Sequence, residues 1–209
     1  QKWFLENDGF EIYYNNFNMR VKRLLDILMA VIIGTICLPL MLTAAIIVKL
    51  GSKGPVLFVQ ERIGELNRPF DMYKFRSMAQ DAEKDGPQWA QKNDARITRF
   101  GKFMRLTRID ELPQLWNVIR GDMSFVGPRP EREFFIKQLE KEIPYYNLRH
   151  TVKPGLTGWA QIMYQYGSTI DDSYIKLQYD LYYIKHHNII FDFMIILNTI
   201  TTVILGKGR

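Results

Sequence analysis

Cysteine is nearly absent from this chain of 209 residues, which contains Cys37 as its single thiol. A lone cysteine excludes an internal disulfide framework and fits a reducing compartment. The sequence also lacks internal repeats, low-complexity segments and a secretory signal peptide, because its first strongly apolar run starts well inside the chain without a small-residue cleavage site. The three histidines, His150, His186 and His187, have no metal-ligand spacing. These absences exclude a disulfide-stabilised scaffold and give no support for a histidine metal site.

Positive charge is in excess, with a net charge of +6 at pH 7. Such an excess suits an anionic partner, whether a membrane surface, a nucleic acid or a phosphorylated substrate, and does not choose among them. The length fits one domain with a sizeable core. The first residue is Gln1 rather than methionine, so we expect a piece of a longer protein in which residues 1–18 form a connector from an upstream part.

A long stretch without charge covers residues 27–48. As a straight helix it would measure about 33 Å, close to the hydrocarbon thickness of a bilayer. Pro39 lies just past its middle, where proline removes a backbone hydrogen-bond donor and bends or breaks a helix. A buried core helix is the alternative, but it would have to be apolar all round in a rather small protein.

Basic residues flank this apolar run on both sides. They are Arg20, Lys22 and Arg23 before it and Lys49 and Lys53 after it. The positive-inside rule places both flanks in the cytoplasm. We therefore predict a re-entrant membrane helix hairpin over residues 19–50, broken at Pro39, in preference to a full crossing. An irregular backbone at that depth requires other protein elements to pack nearby.

The remainder of the chain alternates between short β-prone and helical patterns. Residues 56–60 and 70–75 are bounded by turn residues and predict a hairpin with a longer loop. Residues 96–105 are basic and amphipathic, which is typical of a helix in the lipid headgroup region or of a solvated surface helix. Periodicity, caps and stops predict three further helices. They cover 131–143, 168–185 and the strongly apolar 189–205, the last as an interfacial or half-buried helix.

Residues 105–130 concentrate acids, arginines and rigid turns. Four apolar residues at helical spacing predict a short helix with Asp110 as its N-cap and Gly121 at its stop. These residues are Leu112, Leu115, Trp116 and Ile119. The positive end of the helix dipole favours the ionised forms of Asp110 and Glu111 and lowers their pKa values. Two interpretations stay open: ordinary first-turn acids, or carboxylates that hold a metal ion and a phosphate together with the nearby arginines.

Four short motifs follow the apolar run in order. They are Lys74-Phe75-Arg76, Asp110-Glu111-Leu112-Pro113-Gln114-Leu115, Gly121-Asp122-Met123-Ser124-Phe125-Val126-Gly127-Pro128-Arg129-Pro130 and Pro154-Gly155-Leu156-Thr157-Gly158-Trp159-Ala160-Gln161. Each is weak alone, but together they are very specific. From residue 19 to residue 209 the chain resembles the bacterial sugar transferase family, the monotopic phosphoglycosyl transferases. The resemblance implies transfer of a sugar phosphate from a nucleotide sugar to a polyprenyl phosphate at the cytoplasmic face of the bacterial inner membrane.

The same resemblance assigns roles to individual residues. Asp110 matches the family's nucleophile, which carries a covalent phosphosugar, and Glu111 matches the neighbouring acid that helps to hold Mg²⁺. A second group matches cationic and loop residues near the phosphates. It consists of Arg105, Arg129, Pro128, Lys74 and Arg76. One departure is that Leu38 precedes Pro39 where well-studied small members have serine, so the helix break depends on the proline alone.

The resemblance also implies partners and a fold. The expected donor is a UDP-sugar such as UDP-glucose or UDP-galactose, the acceptor is undecaprenyl phosphate, and the product is an undecaprenyl-diphosphate-sugar for exopolysaccharide or another glycoconjugate. Membrane phospholipids and, as in long members, a homodimer are expected partners, and nucleic acid is not. We expect an α+β fold without a Rossmann domain, in which residues 51–209 form a cytoplasmic catalytic domain with amphipathic interfacial helices and a small β-hairpin around the active site.

Two other functions stay open. A membrane-associated glycosyltransferase would break the anomeric bond and release UDP, although no Asp-x-Asp pair for a metal-bound nucleotide occurs in the chain. A non-catalytic membrane adaptor would bind anionic lipid through its basic faces. The leaving nucleotide separates the two enzymes, because a phosphoglycosyl transferase releases UMP.

Overall fold

A computed structural model of the chain describes residues 16–51, 53–79, 82, 94–164, 167 and 169–204. Within these ranges, helices surround two small two-stranded sheets, which confirms the expected α+β class. The helices are α1 (Asn16–Gly51), α2 (Arg99–Leu106), α3 (Gln114–Arg120), α4 (Glu133–Glu142), α5 (Trp159–Met163), α6 (Ile170–His186) and α7 (Ile189–Ile204). The strands are β1 (Leu57–Ile63), β2 (Pro69–Phe75), β3 (Ser124–Val126) and β4 (Gly155–Thr157).

The apolar run lies in α1, which continues through Pro39 as one helix. A proline inside a helix removes one hydrogen bond and bends the helix without necessarily ending it. One turn later, Thr43 Oγ1 donates to the Pro39 carbonyl at 2.9 Å. From Met19 to Gly51 the helix is long and apolar enough to cross a bilayer. It begins at Asn16, inside the range expected for the connector, whose residues 1–15 lie outside the described ranges.

Both arms of α1 pack against the rest of the chain. Before Pro39, Ala30 is fully buried in a cluster that includes Leu115 of α3. After it, Ala44 is buried in a second cluster that includes Met104 of α2. The small side chain of alanine lets each arm approach its neighbour closely. Between the two contacts Ile33 and Met41 pack partly buried against these clusters, and the other large apolar side chains are exposed. The exposed ones are Val31, Ile32, Ile36, Leu38, Leu40 and Leu42.

The predicted β-hairpin is confirmed. β1 and β2 pair antiparallel, from Leu57 opposite Phe75 to Ile63 opposite Pro69. The strands extend further toward the connecting loop than the pattern predicted, since the pairing continues from Glu61 opposite Asp71 to Ile63 opposite Pro69. The register leaves Lys74 near the end of β2, beside the turn that carries the two acids of the central motif.

A second, parallel pair of strands was not predicted. β3 and β4 are three residues long, too short for a recognisable period of two. The Ser124 amide donates to the Pro154 carbonyl at 2.9 Å, and the Gly127 amide donates to the Thr157 carbonyl at 2.9 Å. A Cβ on Gly127 would lie 2.3 Å from the Lys153 carbonyl oxygen, so only glycine allows this approach. The pairing joins the third and fourth family motifs.

α2 begins later than the amphipathic pattern predicted. Its N-cap is Thr98, whose Oγ1 accepts from the Gly101 amide at 2.9 Å. Arg96 lies two residues before this cap, where its Nε donates to Asp94 Oδ1 at 2.8 Å. The helix therefore covers only the second part of the predicted range and continues to Leu106.

The predicted apolar face of α3 is confirmed except at Trp116. Leu115 is buried and Leu112 and Ile119 pack partly buried against the same cluster, whereas Trp116 is 55% exposed and Val118 is buried instead. α1 packs on the side of the helix that carries Leu115 and Val118, and Trp116 falls outside that contact. Arg23 of α1 donates to the carbonyls of Val118 and Ile119 near the C-terminus of α3. These bonds satisfy carbonyls that a helix end leaves without intrahelical partners.

Two predicted helix boundaries are confirmed by their caps. α4 ends at Glu142, just before Pro144. α6 begins with a reciprocal capping box: the Asp172 amide donates to Thr169 Oγ1 at 3.1 Å, and the Thr169 amide donates to Asp172 Oδ2 at 2.9 Å. Such caps satisfy amides that the first turn of a helix leaves free.

α7 is half-buried, as predicted. On its inner face Asp192 accepts from Lys22 Nζ at 2.6 Å and from Tyr183 Oη at 2.7 Å. Its outer face is apolar and exposed, and α2 also exposes apolar side chains. These exposed residues are Phe103 and Leu106 of α2 and Ile190, Phe193 and Leu197 of α7. Both helices are therefore amphipathic with an uncovered apolar side.

Candidate active site

Asp110 and Glu111 lie in a 3₁₀ turn, Ile109–Glu111, that precedes α3. The Leu112 amide donates to the Ile109 carbonyl at 3.2 Å, which is the tighter 3₁₀ pattern. The N-cap position of α3 is Pro113, so the predicted N-cap role of Asp110 is wrong. The helix begins at Gln114, directly after the proline, whose fixed backbone angle suits the entry to the first turn and which has no amide to satisfy.

Asp110 is 6% exposed, and its carboxyl oxygen Oδ1 is buried with no hydrogen-bond partner among the described residues. Burial, and then the neighbouring Glu111 charge, raise the pKa of Asp110 to about 6, against the smaller opposing effects of Lys74, Arg105 and Arg108. The predicted lowering of the Asp110 pKa by a helix dipole is therefore wrong. The helix starts at Gln114, four residues after Asp110, and desolvation outweighs the cations.

Glu111 is the centre of a cation cluster. Its Oε1 lies 2.7 Å from Arg129 NH2, 3.3 Å from Lys74 Nζ and 3.4 Å from Arg108 NH1. Burial alone would raise the pKa of Glu111, but Arg129, Lys74 and Arg108 together outweigh it and hold that pKa well below its usual range. The lowering predicted for Glu111 is confirmed, although its cause is three side chains rather than a helix dipole.

The basic residues of the cluster come from three separate segments. Lys74 lies near the end of β2, and burial lowers its pKa to about 8 despite the adjacent Glu111. Arg105 of α2 donates from Nε to Ser77 Oγ at 2.8 Å and acts electrostatically on Asp110. Arg108 precedes the 3₁₀ turn with φ 58, a left-handed conformation that is rare for a side chain of this size.

Arg76 occupies a different position from its neighbour Lys74. It is buried and donates from NH1 to the Lys53 carbonyl at 2.7 Å, beside the C-terminal end of α1. This contact links the segment that follows α1 to the residue that follows β2. The predicted role of Arg76 near the phosphates stays a prediction. Arg108 also contacts Glu111 but was not among the residues that the resemblance placed at the site, although it belongs to the same arginine-rich stretch.

Arg129 is presented by a loop between β3 and α4. Pro128 is buried, and its carbonyl accepts from the Gly155 amide at 2.9 Å. The Arg129 carbonyl accepts from Arg149 NH2 at 2.9 Å, and the same nitrogen lies 2.9 Å from Asp180 Oδ2. Sequence reasoning missed Arg149 and Asp180, because they are distant in the chain and neither belongs to a local pattern.

The assembled site thus has a buried carboxylate oxygen, Asp110 Oδ1, with no hydrogen-bond partner in the described part of the chain, beside four cations. Arg105, Arg108, Lys74 and Arg129 supply these charges. Arginine and lysine in such a cluster suit the oxygens of a phosphate group. An ionised carboxylate beside them is a candidate nucleophile at phosphorus. The geometry therefore suits phosphoryl chemistry.

Comparison with known proteins agrees with this chemistry. The sequence model of the bacterial sugar transferase family matches residues 17–206. The UDP-N-acetylgalactosamine-undecaprenyl-phosphate N-acetylgalactosaminephosphotransferase of Aeromonas hydrophila is 50% identical over 188 residues, which cover 90% of this chain and 44% of that protein. The UDP-glucose:undecaprenyl-phosphate glucose-1-phosphate transferase of Escherichia coli (strain K12) is 41% identical over 193 residues, which cover 91% of this chain and 42% of that protein.

A shorter relative is matched along nearly its whole length. The exopolysaccharide production protein PSS of Rhizobium leguminosarum bv. phaseoli is 39% identical over 195 residues, which cover 90% of this chain and 98% of that protein. The chain spans less than half the length of the first two relatives. The family match nevertheless covers almost all of the described helices and strands, including every residue of the cation cluster. This chain belongs to the bacterial sugar transferase family.

Proposed function

We propose that this chain transfers a sugar 1-phosphate from a UDP-sugar to undecaprenyl phosphate and releases UMP. The observation that carries the proposal is the buried Asp110 carboxylate, whose Oδ1 is unpartnered among the described residues and which stands beside Arg105, Arg108 and Lys74. Relatives named as undecaprenyl-phosphate sugar phosphotransferases support it. With a pKa of about 6, Asp110 is about nine-tenths ionised at pH 7.

In the first step a carboxylate oxygen of Asp110 attacks the phosphorus that carries the sugar. The new bond joins Asp110 to that phosphorus, and the bond from phosphorus to the UMP oxygen breaks. UMP leaves as the phosphate anion, and the sugar phosphate stays on the enzyme as an acyl phosphate. The cations around Asp110 stabilise the charge that spreads over the phosphoryl oxygens as the bonds exchange.

In the second step a phosphate oxygen of undecaprenyl phosphate attacks the same phosphorus. The bond to Asp110 breaks, and the carboxylate is regenerated while the sugar phosphate joins the lipid phosphate as a diphosphate. Two in-line displacements at one phosphorus need positioning and charge neutralisation more than proton transfer. A cluster of permanently charged guanidinium groups meets that need.

Asp110 and Glu111 also fit a Mg²⁺ ion. The buried Asp110 Oδ1 lacks a partner in the described ranges, and the three cations that contact Glu111 all do so through Oε1. Mg²⁺ takes hard oxygen ligands, commonly one or two carboxylates with phosphates and water. When bound, it would neutralise charge on the diphosphate. In the described part of the chain no group of three or more His, Cys, Asp or Glu side chains is present, so phosphate and water would complete the set.

The packing of α1 supports a re-entrant position in the membrane. Ala30 and Ala44 lie on opposite sides of Pro39, yet both are buried against the domain that carries Asp110. A helix that crossed the bilayer would place one of its arms on the far side, away from that domain. The exposed apolar segment between the two arms would enter the lipid and return. Basic residues on both flanks place both ends at the cytoplasmic face.

The exposed apolar sides of α2 and α7 support the same position. Phe103 and Leu106 of α2 stand just before the turn that carries Asp110. An amphipathic helix with an apolar side of this kind lies in the headgroup region. A lipid phosphate cannot leave that layer, so the nucleophile has to reach it there. We propose that the chain works as a monotopic protein of the bacterial inner membrane, and a homodimer stays a prediction.

The leaving nucleotide tests the proposed function. Purified protein in detergent or nanodiscs is supplied with undecaprenyl phosphate, Mg²⁺ and either UDP-N-acetylgalactosamine, UDP-glucose or UDP-galactose. We expect UMP and a lipid diphosphate sugar from at least one donor. UDP as the sole nucleotide product would identify a glycosyltransferase instead, and no turnover of any donor would contradict the proposal.

A further inference from the structure

The loop that carries Arg129 is fixed through the backbone carbonyls of residues 128–131. The Pro128 carbonyl accepts from the Gly155 amide at 2.9 Å, and the Glu131 carbonyl accepts from the Ile63 amide at 3.0 Å. Between them, two arginine side chains serve the remaining two carbonyls. Arg62 NH1 lies 3.2 Å from the Pro130 oxygen, and Arg149 NH2 lies 2.9 Å from the Arg129 oxygen. Every carbonyl from 128 to 131 therefore has a donor from another element.

Arg149 is the donor that acts on Arg129 itself, and it is deeply buried. Its guanidinium pairs with Asp180 of α6 at 2.9 Å, donates to the Tyr146 hydroxyl and lies 5.1 Å from the centre of the Tyr146 ring. Asp180 is 2% exposed. A buried ion pair adds little net stability compared with apolar residues of similar volume, because both charges lose their hydration. Net stability therefore does not explain why the Arg149–Asp180 pair is buried here.

The position of the Arg129 side chain gives a functional reason for the pair. While Arg149 holds its backbone, the Arg129 side chain lies 2.7 Å from Glu111 Oε1, the shortest contact in the cation cluster. An arginine side chain is long and flexible, and its reach to Glu111 depends on where its backbone is fixed. Pro128 and Pro130 restrict the backbone dihedral angles on both sides of Arg129. The hydrogen bond from Arg149 then fixes the position of the Arg129 carbonyl.

We infer that Arg149 and Asp180 are positioning residues that aim the Arg129 guanidinium at Glu111 and at the substrate phosphates. The inference rests on the proposed function for its catalytic consequence, although the aiming itself is a property of the folded chain. Neither residue touches the reacting atoms. They connect α6, which carries no residue of the cation cluster, to the cation nearest Glu111.

The test uses a neutral double variant, because Arg149→Met alone would leave a buried, unpaired Asp180 and risk unfolding. Arg149→Met with Asp180→Asn removes both charges and the donor to the Arg129 carbonyl. We expect kcat to fall by about 10- to 100-fold, since a small misplacement of a phosphate-binding group has effects of this order. We expect the KM for the UDP-sugar to change less than kcat.

A double-mutant cycle separates positioning from general destabilisation. In an Arg129→Met background the same double variant should lower kcat by less than about 2-fold, because the group that it positions is already gone. Lys22→Met with Asp192→Asn is the matched control, since it neutralises another inter-helix ion pair, of 2.6 Å, whose residues give none of the four bonds described above to the carbonyls of residues 128–131. Its effect should be the same in both backgrounds. Equal effects of the Arg149–Asp180 variant in both backgrounds would overturn the inference.

A crystal structure of the Arg149→Met, Asp180→Asn variant tests the aiming without any assay. We expect the separation of Arg129 NH2 and Glu111 Oε1 to exceed the 4 Å limit of an ion pair. An unchanged contact near the present 2.7 Å would overturn the inference even if the enzyme were active. A wild-type protein that turns over no UDP-sugar would instead count against the proposed function, and the crystallographic distance would still decide the positioning.

Discussion

Arg129 NH2 lies 2.7 Å from Glu111 Oε1, and this contact helps to make the pKa of Glu111 differ from that of the adjacent Asp110. Three cations contact Glu111 and hold its pKa well below the usual range. Asp110 is buried beside it with an unpartnered Oδ1 among the described residues, and its pKa is raised to about 6. Neighbouring carboxylates with pKa values pushed apart have different roles. This difference supports the proposal that Glu111 organises the charges and Asp110 performs the attack.

Replacing Arg129 with methionine removes the nearest cation of Glu111. We expect kcat/KM for the UDP-sugar to fall by about 10²- to 10³-fold, which is typical for the loss of one group that stabilises developing charge. The Glu111 pKa should rise at the same time. Arg120→Met is the control, because Arg120 is an exposed arginine that pairs with Asp122 at 3.5 Å. An equal loss of activity in both variants would contradict a special role for Arg129.

The pH dependence of kcat/KM should be bell-shaped, with limbs near pH 6 and pH 8. Burial raises the pKa of Asp110 to about 6, so the nucleophile becomes protonated and inactive as the pH falls through 6. Burial lowers the pKa of Lys74 to about 8, so a positive charge is lost as the pH rises through 8. The profile of kcat/KM reports groups of the free enzyme, which makes it the appropriate measurement.

Lys74→Arg identifies the group behind the alkaline limb. Arginine stays protonated at every accessible pH, so the alkaline limb should move upward or disappear while the acidic limb stays near pH 6. An alkaline limb that stays near pH 8 in this variant would show that another group causes it.

The re-entrant position proposed for α1 predicts that both of its ends are on one side of the membrane. Single cysteines are introduced by Arg20→Cys or Lys53→Cys in a Cys37→Ser background, at two side chains that are exposed. An impermeant maleimide should label neither site in intact cells and both sites in inside-out vesicles. Labelling of either site from the periplasm would contradict the re-entrant position and indicate a full crossing.

The close approach of β3 and β4 predicts an unequal response of two glycines. A Cβ at position 127 would lie 2.3 Å from the Lys153 carbonyl, so Gly127→Ala should lower the free energy of unfolding by about 1–3 kcal/mol or more. Gly51 at the end of α1 has no atom within 4 Å of an added Cβ, so Gly51→Ala should be close to neutral. Thermal unfolding measures both, and equal melting temperatures would contradict the packing described for Gly127.

The sequence predicted those parts of the fold that have local signals. The apolar run predicted α1, and the turn-bounded β-prone runs predicted the hairpin. Thr169 with Asp172 predicted the start of α6. Asp110 and Glu111 were recognised from the motif that they share with the bacterial sugar transferase family. These features depend on residues that are close together in the chain.

The missed features depend on burial or on distant partners. The strands β3 and β4 are too short to show alternation, and their pairing is set by contacts between separate loops. The Asp110 pKa is raised by desolvation, which no local pattern reports, and this reverses the direction expected from a helix dipole. Arg149 and Asp180 meet only in the folded chain, so their ion pair has no signature at the level of sequence spacing.

The most direct test of the central claim is the mass of the intact protein after incubation with UDP-sugar and Mg²⁺ in the absence of undecaprenyl phosphate. We expect wild type to gain the mass of one sugar phosphate with release of one equivalent of UMP, and peptide mapping should place the adduct on Asp110. Undecaprenyl phosphate added afterwards should remove it, and Asp110→Asn should gain no mass. An adduct on another residue, or UMP release without any adduct, would contradict Asp110 as the nucleophile.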